Sequence, residues 1–198
     1  MRYVEAYGDL GAKVLGSYEE ELHDTVEHLV AERYDTIINI GAAEGYYAVG
    51  FALRCPQARV IAYETNPAGR ELCASMARLN AVRVDVRGTF TTDDLAAVPD
   101  GRTLVVMDIE GGELALLDPD VAPALSRVDH LVELHDFVDS SIKPTILARF
   151  SDTHEARLIA TRPRTAADYP ELSTQLTRVL DEHRPGPMEW VLLTSHQG

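Results

Sequence analysis

Seven short runs with strand-like patterning, apolar or alternating, recur along this chain, and stretches with helical spacing lie between them. The runs are DTIINI (35–40), RVIAYE (59–64), RVDVRG (83–88), TLVVMDI (103–109), HLVELHD (130–136), EARLIAT (155–161) and EWVLLTS (189–195). Their lengths suit strands, and strands that alternate with helices build a parallel sheet covered on both faces. The runs at 35–40, 103–109 and 130–136 are apolar almost throughout, as strands buried on both sides must be. Helical spacing marks 18–31, 44–54, 67–80, 141–151 and 172–183, with shorter helical turns at TTDDLAAV (91–98) and GGELALLDP (111–119). In the first helix Leu22, Val26, Leu29 and Val30 share a face, and Ser17 with Glu20 reads as a capping box. The expected fold is α/β: a Rossmann-like, doubly wound, seven-stranded, mostly parallel sheet whose last two strands form an antiparallel edge. One domain is expected over 1–198, with 1–33 as a helical cap over the site.

Ligands of such sheets bind outside the carboxyl ends of the strands, where the strand order reverses. The first strand runs there into INIGAAEGYY (38–47). A dinucleotide fingerprint, G-x-G-x-x-G, would need glycine at 41, 43 and 46, and the chain has Gly41, Ala43 and Tyr46. A phosphate loop of the G-x-x-x-x-G-K-[ST] type is absent. Glu44 is expected at the start of the next helix, where its charge would repel a pyrophosphate and tolerate a cationic ligand. S-adenosylmethionine, with its amine and sulfonium, is such a ligand. Glu64 ends the second strand, beside Thr65, in position to accept hydrogen bonds from ribose hydroxyls. An NAD enzyme uses the same device, so Glu64 indicates an adenosine without choosing between the two cofactors.

IINIGAAEGYYAVGFA resembles the first motif of the class I S-adenosylmethionine-dependent methyltransferases. TTDDL (91–95), VVMDIEGGELALL (105–117) and VELHDF (132–137) follow in an order that resembles the FkbM-type branch. The resemblance covers about residues 35–137. It implies transfer of a methyl group to a small molecule, commonly to a hydroxyl oxygen of a sugar or natural product. On that basis Asn39, Gly41, Ala42, Ala43, Glu44, Gly45, Glu64, Thr65 and Asp108 are the expected cofactor-binding residues. Asn39 stands where many relatives have an acid, and Ala43 where many have glycine.

Carboxylates gather after the fourth and fifth strands. Asp108 ends the fourth, Glu110 and Glu113 follow, and Glu133 interrupts the apolar fifth strand. A buried, unpartnered carboxylate is costly, so these residues must meet partners or a ligand. Alternation puts Glu133 and His135 on one face and Asp136 on the other. His135, Asp108, Glu110 and Glu133 are the catalytic candidates, with His135 as general base. The alternative is a divalent metal held by Asp108, His135 and Asp136, a spacing that resembles catechol-type O-methyltransferases. Tyr18, Glu19, His23, Tyr46 and Tyr47 are candidates to close the site.

Net charge −14 disfavours a nucleic-acid substrate, and the expected partner is a small-molecule acceptor. No apolar run is long enough to span a membrane, and the N-terminal MRYVEAYGDLGAK lacks a signal-peptide core, so a cytoplasmic location is expected. Cys55 and Cys73 read as reduced packing residues. His28, His130, His154, His183 and His196 read as surface or helix residues. The rival functions are methylation of nitrogen or a nucleobase, a non-catalytic S-adenosylmethionine-binding partner protein, and a dehydrogenase, which Glu44 and Tyr46 disfavour.

Overall fold

The computed structural model describes residues 1–4, 10–91, 93–94, 98, 100–165, 167–170, 180, 182, 184, 186 and 188–196. Helix α1 (Leu10–Leu15) leads through a 3-10 turn into α2 (His23–Ala31). Strand β1 (Thr36–Ile40), α3 (Tyr46–Arg54), β2 (Arg59–Tyr63), α4 (Pro67–Leu79) and β3 (Asp85–Arg87) follow. Then come β4 (Thr103–Met107), the short α5 (Glu113–Leu116), β5 (Asp129–Leu134), α6 (Ile142–Phe150), β6 (His154–Ala160) and β7 (Glu189–Ser195).

The seven strands form one sheet in the order β3-β2-β1-β4-β5-β7-β6. Neighbours from β3 to β5 pair in parallel, and β7 pairs antiparallel with both β5 and β6. The expected antiparallel edge is therefore one reversed strand, β7, set inside β6. The order reverses between β1 and β4, which places the loops after both strands at one crevice. β1, β4 and β5 are buried along their whole length, as their apolar runs require.

Alternation along the strands divides the core. Ile37, Leu104, Leu131 and Trp190 pack with Leu22 and Leu29 of the N-terminal segment and Phe51 of α3. Ile38, Val105, Val132 and Val191 pack on the opposite face with Ile142, Ile146 and Phe150 of α6. Asn66 caps α4 by accepting from the Ala68 N–H at 3.0 Å, with proline in the first turn.

Three local expectations change. The helix placed at 18–31 is a 3-10 turn followed by α2; Glu19, not Ser17, precedes that turn, in the left-handed region at φ 48°, and no side chain caps it. His130 and His154 are buried rather than superficial. The sheet's interior claims them: the His130 ring packs 5.0 Å from Phe150 and its Nε2 pairs with the Leu125 carbonyl at 3.0 Å, while His154 Nε2 pairs with the Val128 carbonyl at 2.8 Å. All of the helix expected at 172–183 but Leu180 and Glu182, His183 with it, and half of TTDDLAAV lie outside the described residues. Among the described residues no helix is long and apolar enough to cross a membrane.

Candidate active site

The loop after β1 is held open by glycine. A Cβ on Gly41, at φ +79°, would stand 1.7 Å from the Asp108 carbonyl oxygen, so the chain after β1 can cross the end of β4 only without a side chain there. Gly45, also left-handed, begins α3, and a Cβ on it would meet Cys73 Sγ at 2.7 Å. Ala43 occupies the left-handed region at φ 47° although it has a side chain. Its N–H donates to Glu64 Oε2 at 2.8 Å, and the Asn66 N–H donates to Glu64 Oε1 at 2.7 Å. Glu64 thus ties the β1 loop to the β2 end. Oε1 also accepts from the Thr65 hydroxyl at 3.5 Å, so the lone pair that remains for a ligand hydroxyl is on Oε2.

A cavity of about 430 Å³ opens between these loops. Gly41, Ala43, Glu64, Thr65 and Asp108 line it, as expected. Tyr63, Phe90, Ile109 and Leu116 add apolar surface that the motif reading missed; Tyr63 ends β2, Phe90 and Ile109 follow β3 and β4, and Leu116 ends α5. Asp94, from the TTDDL stretch, accepts from the Tyr63 hydroxyl at 2.9 Å and from the Thr91 N–H at 2.9 Å, which braces this wall.

Four expected cofactor residues do not line the cavity. Ala42 is packed in the core and Gly45 is turned toward Cys73. Asn39 is buried, its amide donating to the Val106 carbonyl at 3.3 Å while its Oδ1 has no hydrogen-bond partner. Glu44 differs most from its expected place. It is buried and paired with Lys13 of α1, whose ammonium also lies over the Tyr18 ring. Its charge is compensated inside the protein, so it does not screen the cavity against phosphates. The carboxylates that face the crevice are Glu64, Asp108 and Glu110.

A second cavity, about 210 Å³, adjoins the first and shares Asp108 and Glu110 with it. Tyr18, Phe137 and Met188 supply its apolar lining, and Glu19, Glu133, Glu182 and Arg184 its remaining charges. Arg184 gathers three elements: its guanidinium donates to Glu133 on β5 at 2.6 Å, to Glu19 at 3.2 Å and to Glu182 at 2.8 Å. This answers the partner question that Glu133 raised, with a residue the sequence did not single out. Glu19 also accepts from the Tyr47 hydroxyl. Burial, then the charge of Glu133, pushes the Glu19 carboxyl up to about 7.

His135 lies behind the shared wall and is fully buried. Its Nδ1 pairs with Glu113 Oε1 at 2.6 Å, and its Nε2 stands 3.4 Å from Glu110, 3.6 Å from Asp108 and 3.6 Å from Glu133. Burial alone would lower its pKa, but the Glu113 hydrogen bond and the charges of Glu113, Glu133 and Glu110 outweigh it, and the net direction is up. His135 lines neither cavity; Asp108 lines both. Burial, then the charges of Glu133, Glu19 and Glu110, drives the Asp108 carboxyl well above the usual range. Asp136 points elsewhere and accepts from the Lys143 N–H at 2.9 Å in the first turn of α6. Among the described residues the group that could hold a metal ion is Asp108, Glu133 and His135, with Glu133 in the place expected of Asp136. Glu19, Ala43 and Glu110 all take left-handed backbone, and such strain gathers where geometry serves a site.

No protein-family model matches the sequence, and no curated protein matches it either. Solved structures do. The O-methyltransferase TomG from Streptomyces achromogenes, involved in tomaymycin synthesis and solved with S-adenosylmethionine, superposes with TM-score 0.58 at 15% identity, covering 97% of this chain and 92% of that one. An O-methyltransferase from Bacillus cereus in complex with S-adenosylhomocysteine gives TM-score 0.58 at 13% identity over 96% and 93% of the two chains. Precorrin-6y C5,15-methyltransferase from Geobacter metallireducens gives 0.56 at 14% identity over 85% and 87%. At 13–15% identity the likeness is one of fold: this chain shares a Rossmann-like, mostly parallel seven-stranded sheet with these methyltransferase structures.

Proposed function

We propose that this chain is an S-adenosylmethionine-dependent methyltransferase that acts on a hydroxyl oxygen of a small molecule. The observation that carries the reading is the common wall: one cavity at the β1 and β2 ends suits an adenosyl ligand, and a second opens on the other side of Asp108 and Glu110. The residues of the first cavity fit the cofactor. Gly41 leaves backbone bare, Glu64 Oε2 keeps a lone pair for a ribose hydroxyl, and Tyr63 and Phe90 offer apolar surface to a flat heterocycle. When bound, S-adenosylmethionine supplies an electrophilic methyl group.

The protein's own part is positioning and proton removal. Asp108 borders both cavities, and its raised pKa suits a carboxylate that takes the acceptor's proton as the oxygen attacks. His135, fixed by Glu113, stands behind Asp108 and acts through it. Arg184 holds Glu19, Glu133 and Glu182 so that the acceptor cavity keeps its shape.

A metal-assisted version is a second reading. It is favoured by one observation: Asp108, Glu133 and His135 offer ligand atoms within 4.8 Å of one another, and Asp108 Oδ1 and His135 Nε2 are buried without hydrogen-bond partners. One imidazole with two carboxylates suits Mn, Fe or Zn. Such an ion would lower the acceptor's pKa. Metal analysis of the purified protein, with turnover before and after chelation, separates the two versions.

Calorimetry tests the cofactor. S-adenosylhomocysteine is expected to bind and NAD is not; the reverse result overturns the proposal. Incubation with methyl-labelled S-adenosylmethionine and a small-molecule extract should then place label on an ether oxygen.

A further inference from the structure

We infer that the acceptor carries a protonated amine beside the group that receives the methyl, an inference that rests on the methyltransferase reading of the site. The second cavity is lined by five carboxylates, Glu19, Asp108, Glu110, Glu133 and Glu182, against one guanidinium, Arg184. That guanidinium is shared by Glu19, Glu133 and Glu182 at 3.2, 2.6 and 2.8 Å. Arg164 meets Glu182 from behind at 3.2 Å. Asp108 and Glu110 stand outside this arrangement, and the ion pair each of them makes is with His135.

A second observation points to a ligand at the same place. His135 is fully buried, yet its Nε2 has no hydrogen-bond partner. It lies 3.4 Å from Glu110 Oε2 and 3.6 Å from both Asp108 Oδ1 and Glu133 Oε2. The ring nitrogen thus faces three carboxylates without a hydrogen bond to any of them, while Asp108 and Glu133 are hydrogen-bonded to each other. Carboxylates accept only, and an ammonium group brings three donors and a positive charge. Carboxylate or phosphate acceptors meet the carboxylates of Glu110, Glu133 and Glu182 with Arg184 alone to offset them, and are rejected by repulsion as much as by lack of attraction. Tyr18 adds an aromatic ring, which attracts a cation to its face. Phe137 and Met188 leave room for a short carbon skeleton. The class that satisfies all of these is a small hydroxyl-bearing amine, such as an amino sugar or an alkanolamine.

The test uses three probes of one size and three charges: ethanolamine, ethylene glycol and glycolate. Each is small enough for the cavity whatever the acceptor's full shape. Each is titrated at millimolar concentration into the full chain, saturated with S-adenosylhomocysteine and labelled on its methionine methyl groups. Met188 lines the cavity, and a Met188→Leu variant assigns its signal. Ethanolamine should shift the Met188 resonance saturably, with an apparent affinity about tenfold above that of ethylene glycol, and added salt should weaken it. Glycolate should leave the signal unmoved. Glu110→Gln, at an exposed side chain, should reduce the ethanolamine advantage several-fold while the methionine spectrum stays that of a folded protein.

Equal responses to ethanolamine and glycol, a response to glycolate instead, or no response to ethanolamine overturns the inference. So does a Mn²⁺ titration that broadens the Met188 signal while ethanolamine leaves it unchanged, because the cluster is then a metal site. Binding of S-adenosylhomocysteine in the same samples is read separately. Its success without an ethanolamine response sinks the amine alone, and its failure beside an ethanolamine response sinks the methyltransferase reading while the cationic preference of the cavity stands.

Discussion

Nη1 of Arg184 lies 2.6 Å from Oε1 of Glu133, and this contact joins the C-terminal part of the chain to the fifth strand at the wall of the second cavity. The same guanidinium reaches Glu19 before the first strand. Three distant stretches of sequence therefore meet at one cation. Removing it strips the buried Glu133 of its guanidinium and leaves Glu19 with the Tyr47 hydroxyl and Glu182 with Arg164, and loss of one partner of a buried pair costs more than the pair itself contributes.

Arg184→Ala is expected to destabilise the fold by about 3 kcal/mol, measured by urea unfolding at neutral pH. Arg184→Lys should recover only part of this, because a single ammonium cannot reproduce the fork that spans Glu19, Glu133 and Glu182. Wild-type stability in the alanine variant would show that the cluster is solvated and neutral.

Gly41→Ala places a methyl group 1.7 Å from the Asp108 carbonyl oxygen, on backbone at φ +79°. Strain at such a position and the forced separation of β1 from β4 together should cost about 3 kcal/mol or more. S-adenosylhomocysteine affinity, measured by calorimetry below the unfolding temperature, should fall with it. A variant that keeps both stability and affinity would mean that the loop after β1 relaxes freely.

Glu64→Ala removes the acceptor for the Ala43 and Asn66 N–H groups as well as the expected ribose contact. Hydrogen bonds to a charged group support a loss of about tenfold or more in S-adenosylhomocysteine affinity. Unchanged affinity would detach Glu64 from the cofactor and leave it a purely local brace.

His135→Asn should lower turnover far more than cofactor affinity, because His135 touches neither cavity and acts through Asp108. The pH profile should change as well, since the group behind Asp108 no longer titrates. An unchanged profile with unchanged turnover would remove His135 from the mechanism.

Burial holds the His130 imidazole down at about 3, against an ordinary value of 6.5. The unfolded chain takes up this proton more readily than the folded one. Its contribution to stability is therefore whole above about pH 6.5 and is lost as the pH falls toward 3. His130→Phe should flatten this part of the stability–pH curve, followed by denaturant midpoints from pH 7 to 4. An unchanged slope would assign the acid sensitivity to other groups.

The sheet was legible in the sequence because its causes are local. Continuous apolar runs at β1, β4 and β5 can be satisfied only by burial on both faces, and the glycines after β1 announce a turn that side chains would block. The lining of the first cavity was legible for the same reason, since Gly41, Ala43, Glu64 and Asp108 all sit within a few residues of strand ends. Glu44 was misplaced because its partner, Lys13, lies on a short helix that no periodicity marked. His130 and His154 looked like ordinary polar residues, and only the packing around Phe150 shows that the Nε2 of each is met by a backbone carbonyl.

By itself, then, the sequence determined the order of elements, the switch point and the set of acids near it, since these follow from hydrophobic patterning and backbone sterics along a few neighbouring residues. Tertiary structure alone decided which charges face one another. It turned Glu44 inward to Lys13, sent Asp136 to the first turn of α6, set His135 behind Asp108, and brought Arg184 to Glu133. Such choices depend on the distance between residues far apart in the chain and on whether water reaches them. Coulomb energies and desolvation vary steeply with both, and neither quantity is written in local sequence.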